Sequence, residues 1–66
     1  MNIQLNGVPY TVPDDTSVAG LLVLRGVPTD GTAVARNETV VRKAAYADTV
    51  LQPGDRVEVI SAVAGG

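Results

Sequence analysis

The 66-residue sequence contains no cysteine, histidine, tryptophan or phenylalanine, and two tyrosines are its only aromatic residues. Without cysteine the chain can form no disulfide, and without cysteine and histidine it lacks the usual ligands of a structural zinc site. The same absences exclude histidine acid–base catalysis and a cysteine nucleophile. A domain of this size buries only about 60% of its unfolded surface, so its stability has to come from aliphatic packing.

Charge is also sparse, since five Lys and Arg residues against seven Asp and Glu residues give a net charge of −2. Nucleic-acid binding requires clustered Lys and Arg, so we expect no nucleic-acid partner. No stretch approaches the roughly 18 apolar residues of a membrane span, and the opening residues lack the pattern of a signal peptide. We therefore expect a cytoplasmic protein with no membrane association.

The first third of the sequence predicts a β-hairpin followed by a helix. Residues 1–12 alternate polar and apolar on either side of Asn6-Gly7, a dipeptide that suits the positive-φ positions of a type I′ turn. Thr16 or Ser17 can cap a helix of two to three turns. Gly26 is predicted to end that helix in the left-handed conformation.

Shorter elements are predicted in the middle of the chain. Residues 32–36 read as a short strand that is turned by Asn37, and Val40-Val41 as a brief further strand. Between Lys43 and Leu51 the pattern is ambiguous, and it suggests a single helical turn over residues 44–47.

The last part of the sequence indicates the architecture. Pro53-Gly54 has the residue order of a type II turn. The strand that follows, 56–62, is rich in Val and Ile, so we place it centrally, where it can run parallel to the first strand. One helix can cover one face of a single mixed sheet of four to five strands. This is an α+β fold of the β-grasp type, with 1–62 as the domain and 63–66 as a free tail.

The sequence ends in two glycines, Gly65 and Gly66. Glycine has no Cβ, so two in succession can thread a slot that is too narrow for side chains. An α-carboxylate, with a pKa of roughly 3.5, is ionised at neutral pH. We therefore predict that Gly66 is the reacting residue, a nucleophile toward the α-phosphate of ATP, and that Gly65 gives its carboxylate access.

Alternation along the last strand divides its side chains between two faces. Val57 and Val59 are predicted to face the helix. The opposite face is predicted to carry Glu58, Ile60 and Ala62, together with Gln4 and Thr11. An exposed isoleucine is ordinary by itself, but beside a reactive tail a partly apolar surface is what a partner enzyme would bind. Glu58, Ile60 and Ala62 are therefore the candidate partner surface.

The other polar residues indicate no active site within the domain. Asp14 and Asp15 are adjacent and point apart, and a position near the positive end of the helix explains both. Asp55 is typical of a turn residue that bonds to nearby backbone. No glycine-rich loop precedes the helix, so the chain alone should bind no nucleotide. Four cations are typical of a solvated surface rather than of an anion site: Arg36, Arg42, Lys43 and Arg56.

Several motifs along the whole length carry a family resemblance: Ile3-x-Leu5-Asn6-Gly7, Thr16-x-Val18-x-x-Leu21-Leu22, Ala33-Val34-Ala35-x-Asn37, Arg42, Gly54-Asp55-Arg56-Val57-Glu58-Val59 and Gly65-Gly66. With them the sequence resembles the ThiS family, the sulfur carrier proteins of thiamine biosynthesis. The combination of Gly-Asp-x-Val-Glu with a terminal Gly-Gly in so short a chain is the most specific of these signals.

The resemblance implies a ubiquitin-like β-grasp fold and a protein co-substrate rather than an enzyme. An activating enzyme that resembles ubiquitin-activating enzymes (ThiF-like) would use ATP to convert Gly66 to a glycyl adenylate. Sulfur from a cysteine desulfurase would then leave a thiocarboxylate, 1-thioglycine, which a thiazole synthase (ThiG-like) would consume. The resemblance also implies that the carrier binds no cofactor or metal and is a monomer when free.

Three other interpretations are compatible with the sequence. The small subunit of molybdopterin synthase is a related carrier with the same Gly-Gly chemistry. A ubiquitin-like modifier would instead be joined to lysines through Gly66, and an interaction module would never use its terminus. Residues 61–64 are generic and residues 43–49 lack the bulkier residues expected before the last turn, so neither segment selects one acceptor of the sulfur.

Overall fold

The computed structural model describes residues 1–61, and these form five strands and one α-helix. In chain order the elements are β1 (Asn2–Leu5), β2 (Val8–Thr11), α1 (Val18–Arg25), β3 (Thr32–Arg36), β4 (Thr39–Val41), a short 3-10 helix (Lys43–Ala45) and β5 (Arg56–Ser61). The last residue of the predicted final strand, Ala62, lies outside the described part of the chain.

The strands form one mixed sheet in the order β2-β1-β5-β3-β4. β5 lies in the centre, parallel to β1 and antiparallel to β3. A strand in this position has neighbours on both sides, which suits its Val- and Ile-rich sequence. The central placement, the parallel pairing with the first strand and the β-grasp architecture are all confirmed.

Two left-handed asparagines form the hairpin turns. Asn6 and Gly7, with φ of 51° and 81°, connect β1 to β2, as the sequence predicts for a type I′ turn. Asn37 has the same φ of 51° and connects β3 to β4. Its successor Glu38 also has a positive φ, 72°, which the sequence does not predict because a glycine normally occupies such a position.

Helix α1 begins and ends where its sequence predicts. The hydroxyl of Ser17 accepts a hydrogen bond from the Gly20 N–H at 3.0 Å, and Gly26 ends the helix with a φ of 67°. The first turn of α1 carries no acidic residue. Asp14, which precedes the helix, lies 3.3 Å from the ammonium group of Met1 and forms an ion pair with it.

The core lies between α1 and the sheet. Its buried residues come from the strands, from α1 and from the segments that flank them: Ile3, Leu5, Val12, Val18, Leu21, Leu22, Val34, Tyr46, Leu51 and Val57. The ambiguous segment 43–51 forms its helical turn one residue earlier than predicted, and it buries Tyr46, whose hydroxyl donates to the Thr32 carbonyl at 3.1 Å. Within residues 1–61 no helix combines the length and the apolar character that a bilayer span needs.

Asp55 is a buried carboxylate at the entrance to β5, with a relative exposure of 7%. Its Oδ2 accepts hydrogen bonds from Arg36 Nε at 2.6 Å and from the Gln52 N–H at 2.8 Å, and its Oδ1 accepts one from Asn37 Nδ2 at 3.1 Å. Burial alone would raise the pKa of Asp55, but these hydrogen bonds and the Arg36 charge outweigh burial and hold the pKa below its ordinary value of 3.8. The predicted turn bonding is confirmed, whereas Arg36 is a partner of Asp55 and not a solvated cation.

Replacing Asp55 by asparagine is expected to lower the free energy of unfolding at pH 7 by about 1–3 kcal/mol, because the buried network loses its negative charge and one of its two acceptor oxygens. The folded-state pKa of Asp55 is depressed, so this stabilisation is complete above the unfolded pKa of 3.8 and is lost as the pH falls through the folded pKa. Urea unfolding at pH 7 and at pH 3 should therefore show a smaller pH dependence in Asp55→Asn. The exposed Asp48→Asn is the matched control, and an equal effect of both substitutions would contradict the assignment.

Candidate functional site

The exposed face of β5 carries the predicted partner residues. Ile60 is 65% exposed and Glu58 is also exposed, whereas Val57 is buried and Val59 packs against the core. The predicted division of the strand between its two faces is therefore confirmed for the described residues. Ala62, the third predicted partner residue, lies outside them.

Neighbouring strands extend this face on both sides of β5. Gln4 pairs with Arg56, and Thr11 pairs with Asn2, so both predicted residues lie on the same helix-free face. The hydroxyl of Thr11 donates to Asn2 Oδ1 at 2.7 Å. On the other side, Ala33 pairs with Ile60.

Four apolar residues on this face form what we call the outer-face patch: Ala33, Ala35, Val40 and Ile60. Ala35 pairs with both Glu58 and Val40, so the patch extends from β5 across β3 to β4. Val40 is 74% exposed. The two alanines between Val40 and Ile60 are small, so the larger side chains stand at the two ends of a shallow apolar surface.

The opposite end of the β5 face is charged. Arg56 Nη1 lies 3.8 Å from Glu38 Oε2, and both side chains are exposed. A hollow of about 330 Å³ lies here, lined by Gln4, Gly7, Glu38, Arg56, Val57 and Glu58. The face therefore has an apolar end near the last described residue and a charged end at the start of β5.

The sequence predicts Ile60 and Glu58 but misses Ala33, Ala35 and Val40. Alternation in β3 does indicate that Ala33 and Ala35 share a face. Which of the two faces of the sheet they occupy depends on the register between β3 and β5, which joins residues more than 20 positions apart. The sequence pattern therefore shows that Ala33 and Ala35 share a face, but only the pairing with β5 shows that this is the face away from the helix.

The cations do not form a common anion site in the described residues. Three of them pair individually with carboxylates: Arg36 with Asp55, Lys43 with Asp30, and Arg56 with Glu38. Residues 1–61 also contain no cluster of three acidic side chains that would suit a metal ion.

The predicted reacting group lies beyond the described residues. Gly65 and Gly66, like the whole tail 63–66, fall in the part of the chain that the structure does not describe, and so does the predicted domain boundary after residue 62. β5 ends at Ser61 in the described chain, five residues before Gly66. Five extended residues span at most about 18 Å, so a group on Gly66 can act only close to this end of β5.

Two relatives of this chain are thiazole synthases. The chain is 39% identical over 66 residues to the thiazole synthase of Magnetococcus marinus. It is 32% identical over 66 residues to that of Paramagnetospirillum magneticum. In both cases the whole chain is matched, but it spans only 20% of the relative's length.

The solved structures include matches over the full chain. The crystal structure of the thiamine biosynthesis protein ThiS from Geobacter metallireducens has a TM-score of 0.84 at 32% identity, with both chains covered completely. The solution structure of a thiamine biosynthesis protein from the same organism has a TM-score of 0.85, and 88% of that chain is covered. Residues 3–66, including both terminal glycines, match the ThiS family. The chain belongs to the ThiS family.

Proposed function

We propose that this chain is the sulfur carrier for formation of the thiazole ring in thiamine biosynthesis, with the carboxyl group of Gly66 as the carrying group. The observation that carries the proposal is the family match over residues 3–66, because it runs through Gly65 and Gly66. The complete two-way coverage with a ThiS structure supports it. Because two relatives are thiazole synthases, a thiazole synthase is the proposed acceptor of the sulfur.

Activation of Gly66 begins with attack of its carboxylate oxygen on the α-phosphorus of ATP. Pyrophosphate leaves, and the poor acyl group becomes an activated acyl-adenylate. The terminal sulfur of a persulfide then attacks the acyl carbon and AMP leaves. A second thiol cleaves the resulting S–S bond, which leaves the thiocarboxylate. Glycine presents the least hindered acyl carbon for this attack, since it has no side chain.

The outer-face patch is the proposed docking surface for the adenylating enzyme. Ile60 is the member of the patch that lies nearest in sequence to Gly66, so a partner that binds it holds the tail close to its own active site. The charged residues Arg56 and Glu58 at the other end would fix the orientation of the complex. Ala62 is proposed to extend this surface toward the tail.

The carrier is proposed to act as a protein co-substrate, while its partners supply the catalytic groups. These partners are a ThiF-like adenylating enzyme that uses ATP, a cysteine desulfurase as the sulfur source and a ThiG-like thiazole synthase as the acceptor. The chain itself is proposed to bind no cofactor, to be a monomer when free and to work in the cytoplasm.

Incubation with the activating enzyme, ATP, a desulfurase and cysteine is expected to increase the mass of the chain by the difference between one sulfur and one oxygen atom. Intact-protein and fragment mass spectrometry should locate the change on Gly66. Omission of ATP is the control and should leave the mass unchanged. Sulfur on an internal residue, or predominant isopeptide products with lysine, would contradict the proposal.

A further inference from the structure

β1 is shorter than the central strand that it accompanies. It ends at Leu5, where Asn6 turns the chain toward β2 with a φ of 51°. The backbone N–H of Asn6 donates to the Val57 carbonyl at 2.9 Å. β5 continues to Ser61 and stays paired with β3 through that residue. Toward its end, β5 is therefore paired with β3 on one side, whereas the pairing with β1 on the other side ends at Val57.

The side chain of Asn6 continues the ladder that β1 leaves. Its Oδ1 accepts a hydrogen bond from the Val59 N–H at 2.9 Å, and its Nδ2 donates to the Val59 carbonyl at 3.3 Å. One side-chain amide thus satisfies both backbone groups of Val59, as the backbone of another strand would do. We call this contact the Asn6–Val59 clamp.

The clamp acts close to the end of the described part of β5. Val59 directly precedes Ile60 of the outer-face patch and lies seven residues before Gly66. A contact that fixes Val59 from the β1 side therefore holds β5 seven residues before Gly66. Reactions that need in-line geometry are sensitive to displacements of about 1 Å.

Asn37 makes a comparable contact at the other end of β5. It has the same φ of 51°, its Oδ1 accepts from the Arg56 N–H at 2.9 Å, and its backbone N–H donates to the Arg56 carbonyl at 2.7 Å. Arg56 is the first residue of β5, ten positions before Gly66. Loss of the Asn37 amide would weaken the fold without disturbing the residues next to the tail.

We propose that Asn6 is a positioning residue for the reaction of Gly66. Its side-chain amide replaces the missing continuation of β1 and holds Val59, so that the end of β5 nearest to Gly66 in sequence keeps one position in the sheet. This role rests on the proposed function. It gives Asn6 a second task, because the left-handed φ of Asn6 already accounts for its place in the turn, whereas its side-chain amide holds Val59.

The test compares Asn6→Gly with Asn37→Gly. Glycine keeps the positive φ at both sites and removes one side-chain amide from each. The amide of Asn37 also donates to Asp55 Oδ1 at 3.1 Å, so Asn37→Gly removes a hydrogen bond to a buried carboxylate as well as one to the backbone. Pyrophosphate release by the activating enzyme is measured against carrier concentration, at a temperature where both variants are fully folded. Asn6→Gly is expected to lower kcat about tenfold or more and to leave KM within about twofold, because the outer-face patch stays intact. Asn37→Gly should change neither parameter.

Hydrogen exchange supplies a readout that does not depend on activity. The amide of Val59 should exchange faster in Asn6→Gly than in Asn37→Gly, relative to the core amide of Val34. Asn6→Asp keeps an acceptor for the Val59 N–H but loses the donor, so it should retain part of the protection and an intermediate kcat. It also serves as the second variant if Asn6→Gly fails to fold.

The outcomes separate this role from the proposed function. An equal kcat in Asn6→Gly and Asn37→Gly, or an unchanged exchange rate at Val59, would overturn the positioning role alone. No pyrophosphate release with the wild-type chain would overturn the proposed function and the positioning role with it.

Discussion

Deletion of Gly66 is expected to lower thiocarboxylate formation at least a hundredfold while it leaves the stability of the domain nearly unchanged. The reacting carboxylate moves back by one residue, at most about 3.6 Å. Misplacement by as little as about 1 Å can reduce a rate by about a hundredfold. The buried core comes from residues 3–57, and a terminal glycine has no side chain to pack, so the free energy of unfolding should change by less than about 0.5 kcal/mol.

Thermal unfolding measures the stability of the variant, and mass spectrometry measures its thiocarboxylate formation on the same sample. A variant with one residue appended after Gly66 should behave like the deletion, since its carboxylate is displaced in the other direction. Val63→Ala is the matched control because it alters the tail without moving the carboxylate, and it should stay active. Full activity of the extended variant, without removal of the added residue, would show that Gly66 is not the carrying residue.

The parts of the fold that the sequence predicts correctly depend on local chemistry. Asn6-Gly7 forms its turn because both residues tolerate positive φ, and Ser17 and Gly26 bound α1 through contacts within three or four residues. The face assignment of β5 follows from strand alternation alone. Each of these inferences needs only a short window of sequence and the conformational preferences of a few residue types.

The parts that the sequence does not predict depend on long-range pairing. Asn6 and Val59 are 53 positions apart, and Arg36 and Asp55 are 19 apart. An asparagine in a turn and an aspartate after a glycine have sufficient local explanations, so nothing in the pattern points to their distant partners. One contact lies on β5 and the other on the residue just before it, and β5 is the last strand in the chain but the centre of the sheet. The distant residues whose side chains contact this part of the chain can be identified only when the order of the strands in the sheet is known.

Substitution of Val57 by aspartate is expected to remove a large part of the free energy of unfolding at 25 °C. Val57 is 1% exposed and lies in the core beneath α1, so the change buries an unpaired charge and removes aliphatic packing, at a cost above about 4 kcal/mol. A 66-residue domain has a total stability of only about 3–10 kcal/mol. Circular dichroism and urea titration should show this loss directly.

The same change at Ile60 should separate docking from folding. Ile60 lies three residues further along β5 on the exposed face, so Ile60→Asp should keep the free energy of unfolding within about 0.5 kcal/mol of the wild type. Loss of a large apolar anchor from an interface costs about 2 kcal/mol or more, so affinity for the activating enzyme should fall roughly thirtyfold. Val23→Asp is the matched control, because Val23 is an apolar side chain, 79% exposed, on α1 and therefore away from the outer-face patch. Equal loss of affinity in the two variants would indicate a nonspecific effect of charge, whereas unfolding of Ile60→Asp would contradict the face assignment on which the docking surface depends.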